Sequence, residues 1–242
     1  EDMATAPPPA SPTVDLGRSF TFVTEDPEWV TKILVGGLFT LLSAVLVGIP
    51  FVLGYWGRTL NNVAAGQTRP LPSWDDLGGI FSDGLRLLGV YLAYTLGLTL
   101  AVAALSCVFV APLVALGTVG GLDDGPGALF GALGGLGTLL FALLATVLSL
   151  AAVVYLPAAM ARAALRDSFS EGFSWREITA FIRANPGNYA LALVFYLVAS
   201  FLAQFGMILC CVGIFPLGFW SYLILAYGLG ETVRLNPTSM PS

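Results

Sequence analysis

Long apolar runs alternate with short polar stretches along the whole chain. Runs over residues 30–56, 87–116, 128–161, 189–205 and 206–230 each approach or exceed the roughly 17–25 residues that a helix needs to cross a bilayer. Between them lie two stretches of a different kind, Leu71 to Phe81 and Phe173 to Ala184. In both, a Trp (Trp74, Trp175) is followed by Leu or Ile and then Phe at helical spacing, with charges opposite. That pattern predicts a short amphipathic helix lying in a membrane interface, apolar face toward lipid. Residues 15–24 are a candidate third such segment. The expected fold is an all-α integral membrane protein with about five transmembrane helices plus two or three interfacial amphipathic helices.

The recurrence of span, surface helix and span suggests an internal parallel duplication. Repeat one would cover about 30–116, repeat two 128–205, and an extra span 206–230. Residues 18–234 then form a single membrane domain between a Pro/Ala-rich tail over 1–17, read as disordered, and a short tail over 235–242. Pro50 and Pro216 should kink their helices, because proline removes a backbone donor. Around them Val47-Gly48-Ile49-Pro50 is echoed by Val212-Gly213-Ile214-Phe215-Pro216, which suggests paired roles. A re-entrant hairpin remains the alternative for the first run, and a hairpin near Pro216 for the last two. Gly89, Ala93, Gly97 and Ala101 form a small-residue ridge suited to close helix contact in lipid. The Gly-rich residues 117–137 combine an exposed turn with either the opening of the third span or a re-entrant loop, the helix being the default in lipid.

Composition agrees with the pattern. The 242 residues are 57% hydrophobic and 10% charged, against about 25% charged in soluble domains. Mean hydropathy is +0.84. A net charge of −5 provides no basic surface for nucleic acid. Arg58, Arg69, Arg86, Arg162, Arg166, Arg176 and Arg183, seven of the ten basic residues, flank the two surface stretches, so the positive-inside rule places these in the cytoplasm. Five spans would then put the N-terminus on the opposite face. No basic n-region precedes the first run, so a cleaved signal peptide is not expected.

Candidate chemistry is sparse. Histidine is absent, and Cys107, Cys210 and Cys211 lack metal-ligand spacing; they read as buried thiols. No ionisable residue falls at the centre of a run, which counts against ion-coupled transport. Adjacent Asp75 and Asp76 would point about 100° apart on a helix, poor geometry for an acid/base pair. No catalytic, cofactor-binding or metal-binding residue is assigned, no cofactor is expected, and the protein is read as not an enzyme. Trp29, Lys32, Trp56, Trp74 and Trp175 are expected interfacial anchors. Arg58, Arg162, Arg166, Arg176 and Arg183 are candidate contacts for anionic lipid headgroups, beside the plainer role of setting topology.

Several motifs together resemble a family: Asp26-Pro27-x-Trp29-x-x-Lys32 running into Gly36-Gly37, Gly54-Tyr55-x-x-Arg58, Leu71-Pro72-x-Trp74-Asp75-Asp76 with Phe81 and Gly84, and Asn185-Pro186-Gly187. They are similar to an uncharacterised prokaryotic multi-pass membrane family, domain of unknown function four-zero-one-three, over about Phe20 to Arg234. The resemblance implies a multi-pass membrane protein and carries no activity or site residue with it; the expected location is the cell (cytoplasmic) membrane.

The expected function is therefore non-enzymatic: membrane-organising or lipid-interacting, through the surface helices. The alternatives are a transporter or channel for a lipid or neutral solute, and an accessory subunit of a larger membrane complex. Expected partners are membrane lipids and further copies or other membrane proteins, with no nucleic acid.

Overall fold

The computed structural model describes residues 13–14, 16–112, 125–208 and 212–237. The expected tails, apart from their inner residues, the first half of the Gly-rich connection and Cys210-Cys211 lie outside these. The described chain is all-helical: α1 (Leu16–Thr21), α2 (Trp29–Leu42), α3 (Ile49–Ala64), α4 (Leu77–Phe109), α5 (Gly125–Leu165), α6 (Trp175–Ala184), α7 (Pro186–Gln204) and α8 (Ile214–Leu235). Three segments, Leu77–Phe109, Leu133–Leu165 and Pro186–Ile208, are long and apolar enough to cross a membrane. A fourth would be Gly17–Glu25 with Trp29–Val45, two pieces meeting at 101°.

The first apolar run is not one kinked helix. It is a helical hairpin of α2 and α3, closed by a 3₁₀ turn over Ser43–Val45 and by Leu46 in the left-handed region at φ 67°. Phe39 stacks on Phe51 near the turn, at 4.3 Å between ring centres. At the open end, Lys32 at the start of α2 donates to the Leu71 carbonyl, while Asn62 at the end of α3 donates to the neighbouring Pro70 carbonyl. Both arms thus return to one place. With 14 and 16 residues they reach only about 21 and 24 Å, less than the roughly 30 Å of a bilayer core. This return also brings Asp26, paired with Lys32, to the same end as residues 62 and 70–71.

The last two runs form a second hairpin, α7 and α8. Asn236 donates to Asn185 at its open end, Ser200 and Ser221 face each other midway, and Gly206 lies against Gly213 near its tip. The sequence echo now has a structural meaning. Gly48 and Gly213 each precede a helix that begins at Ile49 and Ile214, the returning arm of a hairpin. Pro50 and Pro216 therefore stand in the first turns of helices, where a missing N–H costs nothing, and do not kink spans. Pro157 of α5, by contrast, lies inside a long helix.

The two Trp stretches differ from each other. Leu71 to Asp76 is not helical; Asp76 accepts from the Gly79 N–H at 2.9 Å and starts α4, so the first expected surface helix becomes an extended strap followed by the opening turns of a long helix. The second is a separate helix, α6, but its Ile178 and Phe181 are completely buried among Ala158–Ala164 and Tyr189. Its apolar face covers the protein core and is not turned to lipid.

Close backbone approach holds the core. A Cβ at Gly84 of α4 would overlap the Pro50 carbonyl oxygen, and one at Gly54 of α3 would overlap that of Ile80. The expected ridge behaves otherwise: a Cβ at Gly89 would come within 3.0 Å of the Phe169 ring, but Gly97 meets nothing within 4 Å and Ala93 is exposed, so the ridge does not seat a neighbouring helix along its length. Cys107, read as buried, is exposed on the leucine-rich flank of α4.

Candidate functional site

At the open ends of the hairpins, charged side chains tie the elements to one another. Arg58 of α3 bonds Asp83 and Asp76 at the start of α4, at 2.7 and 2.9 Å. Arg86 of α4 pairs with Asp167 after α5. Arg162 of α5 pairs with Glu171 at 2.7 Å and approaches Glu177 of α6 at 4.0 Å. The Gly79 N–H, then the Arg58 guanidinium, hold the Asp76 carboxyl below the usual carboxylate range. The Arg162 guanidinium does the same for Glu171. Burial pushes Asp26 up, but the Lys32 ammonium, the Glu28 N–H and the charge of Arg69 outweigh it, and its net shift is downward.

These contacts sort the expected anchors and headgroup ligands. Lys32 is buried, in a 2.7 Å pair with Asp26. Trp56 is buried in the central core, and Trp74 stacks on Tyr55 at 4.3 Å while its Nε1 donates to the Lys32 carbonyl. Trp29 and Trp175 keep exposed surface. Arg58 and Arg162 are engaged by carboxylates, whereas Arg176 and Arg183 are exposed and make no ion pair within the described residues. The anchors and arginines therefore do not converge on one site.

A site of another kind lies where the two hairpins face α4 and α5. A cavity of about 480 Å³ opens there. Thr40, Ser43 and Trp56 line it from the first hairpin, Tyr91 from α4, Pro157 and Met160 from α5, Tyr196 from α7 and Tyr222 from α8. No charged side chain borders it. Thr40 and Ser43 have spent their hydroxyl donors on Gly36 and Phe39 carbonyls of their own helix. Tyr196 and Tyr222 stack, ring centres 6.0 Å apart. Of the cavity residues, sequence had singled out Trp56 as an anchor and Ile49 within the proline echo, neither for a cavity, and no local pattern marks the set: it comes from six α-helices and the turn at Ser43, spread from residue 40 to residue 225. Pro157, the only proline deep inside a long described helix, was the one available signal.

The family model described as "Protein of unknown function (DUF4013)" matches residues 37–212. The chain belongs to the DUF4013 family. The matched region runs from α2 to the tip of the second hairpin, somewhat shorter than the 20–234 suggested by the motifs, and includes every cavity residue except Tyr222 and Leu225. No curated protein and no solved structure matches the chain.

Proposed function

We propose that this DUF4013 protein is a non-enzymatic, multi-pass protein of the cytoplasmic membrane that binds lipid in the cavity between its hairpins. The observation that carries this reading is the cavity itself: about 480 Å³, uncharged, and walled by helices whose outer faces are leucine-rich. A site of this volume suits one or two acyl chains or a compact neutral lipid, since apolar pockets of about 300–1,000 Å³ hold small ligands. Leu92, Leu96 and Leu100 on α4, and Leu136, Leu139 and Leu143 on α5, are exposed, as faces in lipid would be. The arginine-rich open end would face the cytoplasm.

The reading is tested with a photoactivatable alkane or acyl lipid in nanodiscs. Crosslinks should concentrate on peptides containing Trp56, Met160 and Tyr222, and Thr40→Phe, which fills the cavity, should reduce them about fivefold. Labelling confined to the outer faces of α4 and α5 would remove the proposal.

A further inference from the structure

The cavity has one chemical feature that a purely hydrocarbon site would lack. Of the chain's tyrosines, Tyr55, Tyr94, Tyr155 and Tyr189 have hydroxyls bonded within the protein, to the Pro72 carbonyl, the Gly172 carbonyl, the Thr179 hydroxyl and the Val154 carbonyl. Tyr91, Tyr196 and Tyr222 have no such partner among the described residues, and these are the three that line the cavity. Tyr91 and Tyr222 are each 40% exposed and Tyr196 is half-buried, on faces that lipid would cover, and a phenol O–H out of reach of water and without an acceptor costs free energy. Three donors on three helices, facing one uncharged space, complement a ligand that brings acceptor oxygens.

The charge pattern narrows the ligand further. No Arg or Lys borders the cavity, and Lys32, Arg58, Arg86 and Arg162 of the open end are held by Asp26, Asp76, Asp83, Asp167 and Glu171. A phosphate drawn into the cavity would meet no counter-charge, and an unpaired anion in such surroundings is strongly disfavoured. An ester or ketone carbonyl carries two acceptor lone pairs and no charge.

We propose that the cavity selects an uncharged lipid bearing carbonyl groups, its oxygens accepting hydrogen bonds from Tyr91, Tyr196 and Tyr222 and its chains lying against Trp56 and Met160. This rests on the lipid-binding reading of the same cavity.

The test is a competition on the full chain in phosphatidylcholine nanodiscs. A photoactivatable alkane, which has no oxygen, reports occupancy of the cavity. Dioleoylglycerol, its dioleyl ether analogue without carbonyls, and dioleoylphosphatidylglycerol compete with it. The ester should displace the alkane at about tenfold lower concentration than the ether, the gain expected of one or two net hydrogen bonds. It should also outcompete the anionic phospholipid. In Tyr91→Phe/Tyr196→Phe/Tyr222→Phe the alkane should crosslink as before while the ester and ether become equal. Equal competition in the unmodified protein, or an ester preference that survives the triple substitution, overturns the carbonyl assignment. Displacement by the phosphatidylglycerol as good as by the diacylglycerol overturns the neutral-lipid assignment. Failure of the alkane to label cavity peptides at all would instead sink the underlying lipid-binding reading.

Discussion

At the scale of single residues, the strongest constraints are steric and sit where α3 crosses α4. Gly84→Ala would drive a methyl into the Pro50 carbonyl, backbone that has no rotamer to retreat to. Overpacking of this kind typically costs about 1–3 kcal/mol, so thermal unfolding in detergent should show a clear fall in Tm. Gly97→Ala is the control: nothing lies within 4 Å, and alanine is the better helix former, so stability should hold or rise slightly. Equal effects of the two would contradict this account of the crossing. The two tryptophans of the similar stretches should also separate. Trp74 stacks on Tyr55 and Phe39 and donates to Lys32, whereas Trp175 is about half exposed. Trp74 is partly buried, so Trp74→Ala should cost less than the about 3–5 kcal/mol of a fully buried aromatic, and Trp175→Ala distinctly less still. A reversed order in melting measurements would mean that the strap over residues 71–76 is not seated as described.

At the scale of elements, ion pairs do the joining. Arg58 ties α3 to α4, Arg86 ties α4 to the segment after α5, and Arg162 ties α5 to the segment before α6. Asp76, Glu171 and Asp26 have carboxyl pKa values lowered in the folded state. A lowered folded pKa stabilises above the unfolded value and is lost as pH falls through the folded one. Melting temperature should thus be flat from about pH 7 to 5 and decline below about pH 4, near and under the ordinary carboxylate range. Stability that rises on acidification would contradict the sign of these shifts. The hairpins themselves owe their form to short apolar arms: α2 has only 14 residues before Leu46 turns the chain back.

At the scale of the whole molecule, the first hairpin decides which face the N-terminal segment occupies. A hairpin returns residue 67 to the side where residue 24 lies; a single span over 30–56 would separate them. With Cys107, Cys210 and Cys211 replaced by alanine, Thr24→Cys and Gln67→Cys should both react with a membrane-impermeant maleimide from the same face. Reaction from opposite faces would restore a spanning first run. The same folding back gathers α2, α3, α7 and α8 beside the long pair α4 and α5, and the cavity is the space that these unequal lengths leave between them.

The one-dimensional pattern was enough to establish an all-helical chain with membrane-length apolar helices, the charged end and the family, because hydropathy and helical spacing are properties of neighbouring residues. It also located the recurring Trp stretches and the Gly-Ile echo, yet not what they do. Whether Leu71–Asp76 lies flat or α6 turns its apolar face inward depends on which surfaces remain to be covered, and Tyr55, Phe39 and the alanines of α5 supply those surfaces from elsewhere in the chain. Proline likewise has two readings, kink or helix start, and only the packing of Gly36 and Gly37 against Phe219 and Pro216 across two hairpins chooses between them. The cavity belongs entirely to tertiary structure. Tyr91, Tyr196 and Tyr222 are unremarkable in sequence, and they become a set only because α4, α7 and α8 bring them to one space while their hydroxyls find no partner among the described residues.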